Sequence, residues 1–181
     1  MEPPTTFETP RLRLRRPAPD DAADVFAGYA QDPAVTKSLM WCPHGSLDTV
    51  RDFLEGRDAA WAAGPAFAWA IAAREDGQVL GMVEVPMEGH RAEVGYLLAR
   101  AAWGRGLVTE AVRAVVEWAL AERDIYRVWA VCDIENQASA RVLEKVGMQR
   151  EGVLRRRSIL PNVSDVPRDC WCYAKVKVMR R

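Results

Sequence analysis

The chain has 181 residues, 49% of them apolar, which suits one domain with a sizeable core. Its 25 basic and 25 acidic side chains cancel, so no global field favours nucleic acid or an anionic membrane. No apolar run approaches the length of a membrane span, and the acidic, proline-bearing start Met1-Glu2-Pro3-Pro4 is unlike a targeting peptide, so a cytoplasmic protein is expected.

Residues 1–8 read as a flexible arm before a domain at 9–181. In Arg11-Leu12-Arg13-Leu14-Arg15 charge alternates with leucine, the period of a half-buried edge strand with its arginines in water. Asp20 and Asp21 open a helix whose apolar stripe is Ala22, Val25, Phe26 and Tyr29. Asp32-Pro33 ends it, and a loop follows through Trp41, Pro43 and His44. Ser46 caps a second helix carrying Val50, Phe53, Leu54 and Trp61, which ends near Gly64-Pro65. Residues 67–73 and 79–85 form a hairpin about Asp76-Gly77. A turn at 86–90 leads into a third consecutive strand, 91–98.

After Gly106 the positions Val108, Ala111, Val112, Val115 and Ala119 follow helical spacing. Residues 127–132 read as a central strand. Asn136 and Gly147 bracket a helix as N-cap and C-terminal stop. Residues 148–160 are extended, 161–167 a loop and 170–179 a final strand, with Arg155-Arg156-Arg157 solvated. The order is β α α β β β α β α β β. The strand–helix–strand unit makes 91–98 and 127–132 parallel, while the hairpins are antiparallel. The fold class is therefore α/β (α+β): a mixed, mostly antiparallel sheet of about seven strands with helices on both faces. Cys42, Cys132, Cys170 and Cys172 lack metal-ligand spacing and read as reduced, mostly buried thiols, and no metal is expected.

The chemistry concentrates where strand 91–98 runs into Trp103-Gly104-Arg105-Gly106-Leu107-Val108-Thr109-Glu110. Glycines there permit a tight turn and close approach of a ligand, and the following helix offers free N–H groups and a positive dipole end, a cradle for pyrophosphate. The loop has neither the dinucleotide pattern Gly-x-Gly-x-x-Gly nor a Gly-Lys-Ser/Thr phosphate loop. A second segment follows one helix and one strand later: Asn136-Gln137-Ala138-Ser139, running on to Gly147-Met148.

Together these segments resemble the GNAT superfamily of acetyl-CoA-dependent N-acetyltransferases, in the branch of the ribosomal-protein alanine N-acetyltransferases. Thr9 to Arg15 resembles that branch's opening strand and Arg150-Glu151-Gly152 its later strand, so the likeness runs from about residue 9 to the end. It implies a single-domain GNAT fold with a splayed parallel strand pair, and acetyl-CoA as cosubstrate. Backbone groups at Leu97 and Leu98 would pair with the pantetheine arm. Trp103, Gly104, Arg105, Gly106, Leu107, Val108 and Thr109 would hold the pyrophosphate. Asn136 is either a helix cap or a pantetheine ligand, and Ser139 either a capping serine or the proton donor to the departing thiolate. Glu93 would take the amine's proton, with Glu84 as fallback. Ser158 stands where some members carry a carboxylate. Cys132 offers a covalent route or is a buried thiol; His44 and His90 read as structural or solvated. Residues 35–47, with Trp41, and 161–168 would wall the acceptor cleft. The expected activity is direct acetyl transfer in a ternary complex to a protein or peptide N-terminal α-amine. The alternatives are a small-molecule amine, such as a polyamine or antibiotic, or a non-catalytic acetyl-CoA sensor. Neither nucleic acid nor membrane is an expected partner, and the chain would be a monomer or homodimer.

Overall fold

Two short strands, β1 (Thr6–Glu8) and β2 (Leu12–Arg15), pair antiparallel at one side of the sheet. Leu12 and Leu14 are fully buried while Arg13 stays in water, the division that a period of two imposes on a strand. β3 (Ala66–Ala73) lies beside β2 and turns through Asp76-Gly77, with Gly77 at φ +77°, into β4 (Val79–Glu88). The next extended segment is broken at Val94 into β5 (Arg91–Glu93) and β6 (Gly95–Leu98). β5 pairs with β4 and, in parallel, with β7 (Arg127–Asp133), whereas β6 pairs with β4 alone. The long hairpin of β8 (Gln149–Leu160) and β9 (Ser164–Val176) completes the sheet, with β9 against β7. The computed structural model describes residues 2–64 and 66–178.

Helices cover both faces. On one, α1 (Ala22–Val25) continues as a wider π turn over Phe26–Ala30, followed by α2 (Pro33–Thr36) and α3 (Leu47–Ala63). Val25, Tyr29, Val35, Val50 and Leu54 pack there against Ala68, Ala70 and Met82. On the other, α4 (Leu107–Ala121) and α5 (Gln137–Val146) bring Val112, Val115, Val116 and Leu143 onto Leu14, Val83 and Val128. Each such side chain contributes about 1.5–3 kcal/mol when fully buried. Trp69 centres this second core, with ring centroids of Trp61, Phe7 and Trp118 at 5.0, 5.3 and 5.5 Å. The helix ends follow their sequence signals. Ser46 accepts from the Thr49 N–H, Asn136 from the Ser139 N–H, and Gly147 closes α5 at φ +88°.

The observed sheet differs from the sequence expectation in particular places. Nine strands are described rather than about seven, because Thr6–Glu8 is a strand and 91–98 divides in two. The N-terminal arm is held where Phe7 packs on Trp69 and the Trp69 indole N–H donates to the Pro4 carbonyl at 2.9 Å. β2 is thus not an edge; its arginines take carboxylates, Arg13 with Glu8 and Arg15 with Asp21. Asp21 is buried by that contact instead of serving only a helix dipole. β4 runs on through Pro86 to Glu88, and β9 begins at Ser164, since the two strands of the last hairpin need only a short turn after Leu160. Pro65 and the Met179 end of the last strand lie outside the described residues.

Candidate active site

The break at Val94 opens the sheet. β5 runs in register with β7 through Glu93 opposite Trp129, and the Val94 N–H donates to the Trp129 carbonyl at 2.8 Å. Beyond that bond β6 follows β4 and leaves β7. Gly81 makes this departure possible. A Cβ there would sit 2.3 Å from the Leu97 carbonyl oxygen and 3.0 Å from the Leu98 Cα, so only glycine lets β6 press this close to β4. The Ala99 N–H donates to the Leu80 carbonyl at 2.7 Å. Alternation of the antiparallel ladder then turns the Leu97 groups toward Met82, and the Tyr96 and Leu98 N–H groups toward the gap beside β7. Of the two leucines expected to face pantetheine, Leu98 presents its N–H and Leu97 does not. The Leu98 carbonyl is taken by the Trp103 indole N–H at 2.7 Å, which ties the following loop to the strand end.

That loop reverses through Gly104 and Gly106, at φ +74° and +75°, a region that L side chains enter at a cost of about 1–2 kcal/mol. The Glu110 N–H donates to the Gly106 carbonyl at 3.1 Å and starts the α4 ladder. Among the described residues, none of the N–H groups from Gly104 to Thr109 donates to a protein acceptor. They lie at the positive end of a 15-residue helix, with the Arg105 side chain exposed beside them. Glu110 would spoil this potential if it were free. It accepts instead from Thr9 Oγ1 at 2.6 Å, from the Arg11 N–H at 2.9 Å and from Arg11 Nε at 2.8 Å. Burial works to raise the Glu110 carboxyl, but those hydrogen bonds together outweigh it and its pKa lies below the usual carboxylate value. Arg11 Nη1 also donates to the Arg105 carbonyl at 2.9 Å. Arg11 therefore belongs to the loop, a role hidden in the sequence by the regular Arg–Leu alternation.

On the α4–α5 face of the gap, Ser139 sits one turn into α5. Asn136 Oδ1 is occupied as the helix cap, accepting from the Ser139 N–H at 3.1 Å, and its Nδ2 is left over to donate. The Tyr96 hydroxyl reaches across from β6 to Ser139 Oγ at 2.8 Å and to the Ser139 carbonyl at 3.2 Å. Burial pushes the Tyr96 phenol well up, so it remains protonated and available as a donor. Tyr96 is a site residue that the sequence motifs do not single out. The signal for it is its even spacing with Ala92, Val94 and Leu98, which turns it to the same face. Cys132 lies close by, its thiol pushed up to about 11 chiefly by burial, so it is a neutral thiol rather than a nucleophilic thiolate.

Glu93 occupies the opposite face, beside the point where the strands part. Among the described residues it makes no hydrogen bond or ion pair. Burial raises its pKa, the nearby Arg157 charge lowers it and Glu84 raises it, with a net upward shift. Glu84 is held by Arg57 at 2.7 Å. Arg57 also lies over the Phe53 ring at 4.8 Å, and Phe53, His44 and Trp41 form a chain of tilted rings. Burial lowers the His44 pKa, and His90 lies exposed in the turn before β5. Asn162 Nδ2 at the β8–β9 turn donates to the Thr36 and Trp41 carbonyls at 2.9 and 2.8 Å, joining the two segments expected to wall an acceptor cleft. Ser158 is buried on β8.

This geometry coincides with the comparisons to known proteins. Residues 11–149 match the acetyltransferase (GNAT) domain family. The chain is 33% identical to the uncharacterized N-acetyltransferase p20 of Bacillus licheniformis over 153 residues, 83% of this chain and 85% of that protein. In structure it resembles the microcin C7 self-immunity acetyltransferase MccE in complex with acetyl-CoA and AMP, with a TM-score of 0.85 at 24% identity over 97% and 98% of the two chains. It is also similar to RimL, a ribosomal L7/L12 alpha-N-protein acetyltransferase in complex with coenzyme A, with a TM-score of 0.82 at 22% identity over 96% and 97%. At these identities the two structures speak to the fold alone.

Proposed function

The chain belongs to the GNAT acetyltransferase family, and on that premise we propose that it moves the acetyl group of acetyl-CoA to a primary amine by direct transfer in a ternary complex, at the gap between β6 and β7. The observation that carries this reading is the one-sided pairing of β6, which leaves the Leu98 N–H facing an open strand edge just before a loop of free N–H groups.

The N–H groups of Gly104 to Thr109 and the Arg105 charge bind the pyrophosphate. Asn136 Nδ2 and the Leu98 N–H hold the pantetheine arm, and the latter polarises the thioester carbonyl. Glu93 accepts the proton of the incoming amine. The amine nitrogen forms its bond to the acetyl carbon, the carbon–sulfur bond breaks, and the sulfur takes a proton from Ser139, which solvent restores. Tyr96 fixes Ser139: its hydroxyl bonds Ser139 Oγ at 2.8 Å and the Ser139 carbonyl at 3.2 Å, which holds the serine hydroxyl at the gap. Glu84 is a poor alternative base because Arg57 holds it.

An N-terminal α-amine of a protein or peptide is the acceptor favoured by likeness to the ribosomal-protein branch, with RimL among the structures of the same fold. The test combines thermal stability with thiol release. Stabilisation by acetyl-CoA and by CoA but not by ATP, followed by free thiol on adding amines, is the expected result. Stabilisation without thiol release across N-terminal peptides, polyamines and aminoglycosides would reduce the protein to an acetyl-CoA sensor.

A further inference from the structure

We propose that the acceptor carries an apolar group next to its amine, and that Trp129 and Val131 form the floor on which this group lies while Glu93 receives the amine. The inference rests on the acetyl-transfer reading above and names the acceptor class within it.

It starts from a tryptophan without a partner inside the fold. Of the seven tryptophans, Trp61, Trp69, Trp118 and Trp171 pack on the α4–α5 core, Trp41 lies against His44, and Trp103 bonds the Leu98 carbonyl. Trp129 is half-buried, and among the described residues it packs on neither core. Among those residues the Tyr29 hydroxyl is the one buried side-chain polar atom left unpaired, so the Trp129 indole N–H stands in solvent. A large aromatic side chain with its ring outside the core and its N–H in water is a feature of binding surfaces.

The strand register fixes the face it occupies. Ala92 is opposite Val128 and both are buried in the α4–α5 core, so the next pair, Glu93 and Trp129, shares the other face. These two stand side by side on strands about 4.8 Å apart, and the bond from the Val94 N–H to the Trp129 carbonyl locks them there. Two residues on, Val131 has the same orientation, is also half-buried, and lies at the level where β6 has left β7. Ala174 and Cys172 of β9 are opposite Trp129 and Val131, and Gly152 of β8 is opposite Cys172; all three are too small to cover them. The helices of this face pack on β3, β4 and β6, through Ala68, Ala70, Met82 and Leu97. A shallow apolar trough is left over β7 and β9, with Glu93 at its end.

That end names the occupant. An amine at Glu93 brings the acceptor in on the face opposite Ser139, and the group next to the amine then falls over Trp129 and Val131. The nearby carboxylates are each held by an arginine: Glu84 by Arg57 at 2.7 Å, Asp133 by Arg168 at 2.5 Å and Glu151 by Arg127 Nη1 at 2.8 Å. The second cation of a polyamine finds none of these free. A branched or aromatic group instead takes itself and the trough out of water together. A Leu or Phe at a polypeptide N-terminus has this form, and so does a free amine such as phenethylamine.

The experiment uses peptides that differ only in their first residue, Gly, Ser, Lys, Leu or Phe, with phenethylamine and spermidine as free amines. Thiol release is measured with the unaltered protein, Trp129→Phe, Trp129→Ala and Val131→Thr, and acetyl-CoA stabilisation and sedimentation are followed in all four. In the unaltered protein kcat/KM for Leu and Phe exceeds that for Gly, Ser and Lys by about tenfold, most of it in KM. Trp129→Phe keeps this preference, and Trp129→Ala reduces it to about twofold or less. Val131→Thr keeps the volume, puts a hydroxyl in the trough and lowers the preference about threefold, which serves if Trp129→Ala does not fold. Phenethylamine outpaces spermidine, and its rate beside that of the Phe peptide tells a free amine from a polypeptide end. Equal turnover of all peptides, or preference for Lys or spermidine, would overturn the proposal. So would a preference that survives Trp129→Ala, or Val131→Thr where that variant alone folds. A dimer that Trp129→Ala dissociates would give the trough to a second copy and overturn it too. Thiol release with no acceptor at all would instead strike the underlying reading, and this inference with it.

Discussion

Gly81→Ala tests whether the gap is made by the close approach of β6 to β4. The new methyl would meet the Leu97 carbonyl oxygen at 2.3 Å and the Leu98 Cα at 3.0 Å. Both atoms are backbone, so no side-chain rotation relieves the contact, and β6 must move by roughly 1 Å toward β7 to restore ordinary packing distance. Overpacking of this kind costs about 1–3 kcal/mol, and a rigid backbone neighbour puts the cost at the upper end. For a domain of this size about 3 kcal/mol lowers Tm by roughly 6–12 °C. Movement into the gap also displaces the Leu98 N–H from the place that the proposed mechanism gives it beside the thioester. The KM for acetyl-CoA should then rise by about tenfold or more, equivalent to ~1.4 kcal/mol. Gly152→Ala is the matched control, because its Cβ meets nothing within 4 Å. Calorimetry and initial rates of thiol release measure both quantities. A Gly81→Ala protein with unaltered Tm and unaltered KM would refute the argument that this glycine holds the strands apart.

Ser139→Ala should lower kcat by at least tenfold and Tyr96→Phe by about fivefold, with the KM for acetyl-CoA unchanged in both, while the double variant is no slower than Ser139→Ala; additive losses would show that Tyr96 does not act through the serine. Glu93→Gln should cost about 10²–10⁴ in kcat and remove the fall in rate at low pH. Because burial raises the Glu93 pKa, that fall lies above the ordinary carboxylate range in the unaltered protein, and an identical pH–rate profile in the variant would eliminate Glu93 as base. Arg105→Glu changes two charge units beside a doubly charged pyrophosphate; at ~8 Å through water this is about 2 kcal/mol, roughly halved by 0.1 M salt. Affinity for acetyl-CoA should drop about fivefold in 0.1 M salt and further at low salt, and a salt-independent, unchanged affinity would remove Arg105 from the site.

The legible parts of the site were those encoded locally. Gly104 and Gly106 announce a left-handed turn because few other residues tolerate it, and Asn136 with Gly147 brackets α5 because capping is a contact between residues a few positions apart. Parallel pairing of β5 and β7 followed from the helix between them. The break at Val94 was not legible in residues 91–98, since its cause is Gly81 on another strand. Tyr96 reads locally as one more apolar strand residue, and only the position of α5 makes it a partner of Ser139. The bulge of residues 155–157 in β8, where Arg156 lies at φ +51°, was hidden because its supports belong to the other arm of the hairpin: Asp169 accepts from the Arg156 N–H and the Pro167 carbonyl from its guanidinium. β1 was missed for a related reason: three residues carry no usable period, and their hold on the sheet comes from Trp69.

The link between Glu110 and Arg11 joins these long-range effects to the chemistry. A carboxylate in the first turn of α4 favours the helix dipole yet opposes the anion proposed to bind at the same helix end. The conflict is resolved by spending the carboxylate on Thr9 and Arg11, which cancels its charge and fastens the start of β2 to the loop carrying Arg105. Because these contacts hold the Glu110 pKa below its unfolded value, their contribution to stability is complete above the unfolded carboxylate pKa and is lost as pH falls through the lower folded one. Protonation would then free Arg11 and loosen β2 from the loop together. The segment from Thr9 to Arg11, about a hundred positions from Glu110 in sequence, is accordingly part of the proposed phosphate site, and the loop depends on the first strands of the sheet as much as on its own glycines.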